Sequence, residues 1–382
     1  MRWRKTALRP RGPPSARAPP ARSLTRTAPP APRSSPSSSE DSSEAERSLL
    51  DTVLLAKWEE RFGRGLFRYD VTACPTRVLD GVYGFVAQLN EGRATKKRPT
   101  EFTVGAVREA FDPAKFNFTK ADLAEVLFQF EPACGMLPAA AASDYAERGP
   151  VHASPSLVLI NVSPIEYGHV LLVPHALSCL PQQLRPDLLL LALHLAREAD
   201  NPYFRVGYNS MGAYATINHL HFQAYYLTAP FPIERAPTAP LPGITKRRRW
   251  RGVAAHRTAR FPVRALVFEV GASLEEMAAA VGAAAEALQA ADVPFNLLIA
   301  DRGARVFLIP QRFAAAVARG DVPDDLLETG INPAVFEIAG HLLYKRREDY
   351  DAATQDTAWR LLEHASLSED DFASLVERIL PA

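Results

Sequence analysis

The sequence predicts an α+β protein built from two antiparallel-sheet units with packed helices, behind a disordered N-terminal tail. Three observations carry that prediction. A strand–turn–strand–Pro pattern at 157–174 returns at 295–310, which is a weak internal echo where a duplicated unit would place it. Apolar residues recur at helical spacing over 49–62, 184–200 and 273–291. Composition breaks near residue 47, where an Arg-, Pro- and Ser-rich stretch gives way to apolar-periodic sequence. The expected organisation is a tail at 1–47, a first unit at 48–235, an exposed basic and Pro-rich connection at 236–262, and a second unit at 263–382.

Each element follows from local pattern. The tail has too little apolar surface to offset its ordering entropy. Leu50, Val53, Leu54 and Trp58 form one side of the first helix. Strand-like pieces follow at 71–73 and 83–89, and then a basic run, Arg93, Lys96, Lys97 and Arg98. That run reads as a solvated loop or as a loop that contacts phosphate. Thr119 to Asp122 has the form of a capped helix start, with Leu123, Val126, Leu127 and Phe130 on one face. The Ala-rich 134–149 reads as a surface connection. Strands at 157–161 and 169–174 flank a turn punctuated by Pro164 and Gly168, and their continuous apolar runs predict burial on both faces. A helix at 184–200 and a strand at 203–212 come next. After the connection, a strand at 265–270 leads into a helix capped by Ser273. Strands at 295–300 and 305–310 follow, and the C-terminus is helical, with Ser368 capping the last helix.

Composition narrows the function classes. A net charge of +1 lacks the basic excess of a nucleic-acid-binding domain. The three cysteines, Cys74, Cys134 and Cys179, form no CxxC pair, which suits a reducing compartment and supplies neither a zinc site nor a disulfide framework. The longest apolar runs, such as 188–196, fall well short of the ~20 residues of a membrane span. A soluble, cytoplasmic protein is expected. The basic run at 246–251 reads first as a solvated loop, and otherwise as a nuclear-import signal or a patch that draws anionic substrate; the acid-poor tail resembles an organelle (chloroplast) transit peptide, against which its high Pro content argues.

The chemistry concentrates in 217–226, Ile-Asn-His-Leu-His-Phe-Gln-Ala-Tyr-Tyr, which reads as a strand. Alternation puts His219, His221, Gln223 and Tyr225 on one face and Leu220, Phe222 and Ala224 on the other. Two imidazoles at i and i+2 fit a metal site, a structural pair, or nucleophilic attack on an electrophile such as phosphorus. Gln223 and Tyr225 are poor metal ligands, and spacing alone leaves the three readings open. His169 fits a core or a site role equally; His341 and His364 fall in predicted helices and read as structural.

Asn209-Ser-Met-Gly212, Thr216 and His219-Leu-His221-Phe-Gln223 resemble the active-site signature of the histidine-triad superfamily, in the branch typified by galactose-1-phosphate uridylyltransferase. Asn161-Val-Ser-Pro164 and Gly168-His169-Val-Leu-Leu-Val-Pro174 resemble its upstream strand pair, with Asn161 where that superfamily usually has Asp. Longer segments at 65–74, 88–93, 97–102, 116–119 and 332–334 resemble the GDP-L-galactose phosphorylases of plants and algae, over roughly 48–380. The resemblance implies a histidine-triad-like fold in both units and a nucleotidyl transfer without metal or other cofactor. GDP-L-galactose and phosphate would give L-galactose 1-phosphate and GDP, in ascorbate synthesis. His221 would attack the α-phosphorus and His219 would support the site. Gln223 and Thr216 would bond non-bridging oxygens, and Asn161 and Asn209 would hold ribose or phosphate. Arg93, Lys97 and Arg98 are candidate contacts for the anionic substrate. The second unit would complete the pocket or a homodimer surface. A GDP-D-glucose phosphorylase, a nucleotide-sugar-binding regulator without turnover, and a metal-dependent hydrolase are the competing readings.

Overall fold

One sheet of ten strands runs through the molecule, seen in a computed structural model that describes residues 47–96, 106–132, 154–241, 252–271 and 273–380. The expectations for the tail up to residue 46, for 134–149, for Lys97 and Arg98, and for the basic run 246–251 lie outside the described residues. In chain order the strands are β1 (Thr76–Val78), β2 (Val86–Leu89), β3 (Val126–Gln129), β4 (Leu157–Ile160), β5 (Val170–Val173), β6 (Phe204–Asn209) and β7 (Phe222–Tyr226). They continue as β8 (Thr238–Pro240), β9 (Val253–Thr258), β10 (Leu266–Val270), β11 (Phe295–Ala300), β12 (Arg305–Pro310) and β13 (His341–Tyr344). The large sheet has the order β3-β4-β5-β7-β6-β11-β12-β10-β9-β8, and a small sheet has the order β1-β2-β13.

Each half of the chain supplies five neighbouring strands of the large sheet, and the halves meet where β6 pairs antiparallel with β11. Joining edge to edge removes two strand edges that would otherwise present unpaired backbone groups. The strands alternate between two cores as their sequence implies. In β12, Val306 and Leu308 enter one cluster while Phe307 and Ile309 enter the other. The first cluster lies under the helices Leu49–Gly63, Pro186–Ala199, Leu274–Ala290 and Glu369–Ile379, through residues such as Trp58, Leu189, Val281 and Phe372. The second is closed by the small sheet and the C-terminal segments, through Phe85, Phe336, Leu342 and Leu362. Gly168 turns the chain between β4 and β5 at φ +69°, and a Cβ there would lie 2.5 Å from the Tyr226 ring.

Several local expectations change in the fold. Residues 71–73 form a 3-10 turn capped by Asp70, whose side chain accepts the Thr72 amide, rather than a strand. The expected helix after Thr119 is replaced by two 3-10 turns and β3, because the run from Val126 to Gln129 completes the open edge of β4. His341 sits in β13, parallel to β2, not in a helix. The segment 236–262 contributes β8 and β9 to the outer edge of the sheet, where Pro240 can sit because that edge needs no donor. The histidine strand begins only at Phe222. Residues 219–221 bond the 180–182 loop instead: the Leu220 amide donates to the Leu180 carbonyl at 2.7 Å, and the His221 amide donates to Gln182 Oε1 at 2.9 Å.

Candidate active site

The run from His219 to Tyr225 keeps its alternation although only part of it is strand. Leu220, Phe222 and Ala224 are buried in the helix-covered core, and Tyr225 enters the opposite one. His221 and Gln223 open onto a cleft of about 640 Å³. Asn161, Asn209, Thr216 and Arg93 line the same cleft, so six of the nine residues singled out from sequence converge. Lys97 and Arg98 fall outside the described residues, and His219 does not line the cleft.

The two histidines have separate tasks. His221 Nδ1 lies 2.8 Å from the His219 carbonyl oxygen, an acceptor only, so Nδ1 carries the proton and donates it. Nε2 is left with its lone pair. Burial holds the His221 pKa down at about 4, against the opposing pull of the bond to His219. The imidazole is therefore neutral near pH 7. His219 Nδ1 accepts the Phe118 amide at 3.0 Å, and its ring packs against Phe111 and Phe118 at centroid distances of 5.4 and 5.5 Å. Its remaining proton is thereby on Nε2, near the Ala176 carbonyl but outside good hydrogen-bond geometry. Burial, then the neighbouring His221, lower its pKa to about 4. His219 thus braces the 118 loop through its ring and the nucleophile through its carbonyl.

Gln182, which sequence reasoning missed, fixes the backbone around His221. Fully buried, it accepts the His221 amide with Oε1 and donates with Nε2 to the His221 carbonyl at 3.1 Å and the Asn209 carbonyl at 2.8 Å. Asn218 in turn accepts the Gln182 amide at 2.8 Å and donates to the Ala110 carbonyl, also at 2.8 Å. Nothing in the loop Cys179-Leu-Pro-Gln182-Gln183 sets Gln182 apart from its neighbour, because its partners lie far along the chain.

His169 is a core residue that stands behind the cleft wall. It is wholly buried, and burial holds its pKa well below the ordinary value. Its Nδ1 accepts the Ile165 amide at 2.8 Å, its Nε2 lies 3.2 Å from Asn161 Nδ2, and the Gln223 side chain also reaches the ring. Asn161 is tied to the same residue, its amide donating to the His169 carbonyl at 3.0 Å. Its Oδ1 accepts the Ser163 amide at 3.0 Å. Asn209 Oδ1 accepts from Asn296 Nδ2 at 2.6 Å and from the Val335 amide at 2.8 Å, so its NH₂ is the end left to the cleft. Arg93 stands in the helix Glu91–Lys96 and donates to the Ser163 carbonyl.

The second half supplies Asn332, Phe336, Glu337, Tyr344 and Lys345 to the cleft. Parallel pairing of β2 with β13 brings Leu89 beside Tyr344, so the segments that carry Arg93 and Lys345 leave the small sheet at the same end. Burial lowers the Lys345 pKa, and the Glu337 carboxylate opposes that shift. A neutral imidazole with a fixed tautomer faces amide donors and cations in this cleft, which is an arrangement suited to attack on phosphorus. The histidine pair does not converge on one point, and among the described residues no group of three or more His, Cys, Asp or Glu side chains is placed to hold a metal ion.

Models of the GDPGP1-like N-terminal and C-terminal domains match residues 49–225 and 232–382. The chain is 54% identical over 326 residues to GDP-L-galactose phosphorylase 1 of Arabidopsis thaliana, covering 85% of this chain and 72% of that protein. It is 35% identical over 352 residues to GDP-D-glucose phosphorylase 1 of Homo sapiens, covering 86% and 84%. Yeast Ap4A phosphorylase Apa2 in complex with Ap4A shares the fold at a TM-score of 0.57 and 16% identity, over 84% of this chain and 98% of that one. The His219–Gln223 segment lies in the first matched domain and the facing wall of the cleft in the second; with similarity extending along most of the chain, the protein belongs to the GDPGP1-like family.

Proposed function

We propose that the protein is a GDP-L-galactose phosphorylase that converts GDP-L-galactose and phosphate to L-galactose 1-phosphate and GDP. The single observation that carries the chemistry is the 2.8 Å contact of His221 Nδ1 with the His219 carbonyl, which leaves Nε2 as a nucleophile on the cleft wall. Identity of 54% to a protein named for this activity, against 35% to one named GDP-D-glucose phosphorylase, favours the L-galactose nucleotide.

In this reading the Nε2 lone pair attacks the α-phosphorus. A P–N bond forms while the bond to the β-phosphoryl oxygen breaks, and L-galactose 1-phosphate leaves with the electron pair. The guanylylated imidazole carries positive charge, which the His219 carbonyl stabilises through Nδ1–H. An oxygen of inorganic phosphate then attacks the same phosphorus, the P–N bond breaks, and Nε2 recovers its lone pair as GDP departs. The transition states are loose, so positioning and charge stabilisation dominate. Gln223 and Thr216 serve the non-bridging oxygens, Asn161 and Asn209 the ribose or phosphate, and Arg93 and Lys345 the anionic charge.

The test is GDP release from GDP-L-galactose and from GDP-D-glucose, with and without phosphate. Phosphate-dependent release favouring GDP-L-galactose supports the reading. Preference for GDP-D-glucose keeps the mechanism and changes the substrate; no release from either refutes the enzyme. A cytoplasmic location with access to the nucleus belongs to the same proposal, and a fluorescent fusion confined to plastids would refute it. So does a homodimer, which light scattering at monomer mass would overturn.

A further inference from the structure

The cleft is chemically uneven along its length. Phe116, Phe118, Leu171 and Ile217 line it and pack together in a small apolar cluster separate from the two main cores, and Ile160 of the first core lines it as well. The Phe118 and His221 ring centroids are 5.1 Å apart, so this slot abuts the nucleophile. The charged residues Arg93, Glu337 and Lys345 come instead from segments at the small-sheet side.

One carboxylate lines the cleft from the apolar end. Glu125 closes the 3-10 turn Leu123–Glu125, next to Val126, which pairs with Leu159 and packs on the same apolar cluster as Phe118. The backbone there is braced. Arg61 donates to the Ala124 carbonyl at 2.8 Å and to the Val126 carbonyl at 3.0 Å, one on each side of Glu125. The Glu125 amide donates to the Asp122 carbonyl at 2.9 Å, and Asp122 Oδ1 accepts the Ala124 amide at 2.9 Å.

We propose that the apolar slot is the base subsite and that Glu125 is the residue that selects guanine, its carboxylate accepting from N1–H and the 2-amino group together. The inference rests on the phosphorylase reading for its nucleotide and goes beyond it in naming the base-reading residue. A planar base fits between aromatic and aliphatic walls, and only its edge remains to be recognised. The Watson–Crick edge of guanine presents two adjacent donors, which match the two oxygens of one carboxylate. Adenine presents a lone pair at N1, which the same carboxylate repels. Hypoxanthine keeps N1–H and lacks the amine, so it satisfies half of the pair.

Equilibrium binding of GDP, IDP and ADP to the full chain tests this by calorimetry, alongside Glu125→Gln and Glu125→Ala with their melting curves. The wild type binds in the order GDP, IDP, ADP. Both variants lose about tenfold to a hundredfold of the preference for GDP over ADP. Equal wild-type affinity for GDP and IDP overturns the proposal, as does an unchanged GDP-to-ADP ratio in a folded variant. Should both variants fail to fold, the wild-type series decides alone. A chain that discriminates GDP from IDP yet releases no GDP from any GDP-hexose sinks the phosphorylase reading and leaves the base subsite standing. Turnover of GDP-hexose without that discrimination does the reverse.

Discussion

Replacing Gln182 with Met isolates the clamp that holds the nucleophile in place. Methionine fills nearly the same volume but neither donates nor accepts with comparable strength, so the hydrogen bonds at 2.9, 3.1 and 2.8 Å are lost together. They serve the His221 amide, the His221 carbonyl and the Asn209 carbonyl, all around a residue with no solvent exposure. An unpaired buried group costs about 1–3 kcal/mol, and the low end for three such groups gives a stability loss of about 3 kcal/mol. Catalysis should suffer beyond stability, because the backbone at 221 is then free to shift and misplacement of a reacting atom by ~1 Å costs about 100-fold. The assay is the single-turnover rate of His221 guanylylation without phosphate, measured on folded Gln182→Met, with urea denaturation in parallel. A guanylylation rate within about twofold of wild type, in a variant that has lost the stability, refutes the argument that Gln182 positions the nucleophile.

Four further outcomes follow from the geometry. His221→Asn removes the attacking nitrogen, so turnover falls by about 10⁴-fold or more and no covalent adduct appears in the intact mass; retained activity sinks the covalent route. Because burial holds His221 at a pKa of about 4, guanylylation stays level from pH 8 to well below 6.5, and a half-maximal rate near 6.5 contradicts the structure. The same depression acts on stability. Above pH 6.5 His221 is neutral folded or unfolded, whereas below it the unfolded chain gains a proton that the fold resists. The buried site therefore loses about 1.4 kcal/mol per pH unit as pH falls from 6.5 towards 4, with His169, His219 and His341 acting in the same direction, and urea titrations at pH 7.5 and 5.5 measure the difference. Gly207→Ala places a Cβ 2.7 Å from Val335 Cγ1 in the middle of β6, and overpacking of that kind costs about 1–3 kcal/mol. Since the Val335 amide donates to Asn209 Oδ1, the displacement also weakens substrate binding, and an unchanged melting temperature and KM would refute it.

Most of the strand and helix framework was legible because it is written in local periodicity. The run at 295–310 returns as β11 and β12 with the predicted limits, and the Ser273 and Ser368 caps accept the amides of Glu276 and Asp371. Where two short-range patterns competed, long-range pairing decided. The sequence after Thr119 carries helical spacing, but its apolar run gains more by completing the edge of β4. His341 looked helical and became a strand because β2 offered a parallel partner.

The candidate site divides along the same line. By itself the sequence determined the alternation that puts His221 and Gln223 on one face, a property of the extended backbone, and it marked the basic run that holds Arg93, while resemblance to the family signature singled out Asn161, Asn209 and Thr216. Only the tertiary structure decided that His219 turns away, that His169 sets its ring against Asn161, and that the second half walls the cleft. Gln182 reaches His221 across 39 residues and Val335 reaches Asn209 across 126. Hydrogen bonds of that separation leave no periodic trace in a chain: the first exists only once the loop before the 186–199 helix has folded back on the histidine segment, and the second only once the two halves have joined along β6 and β11.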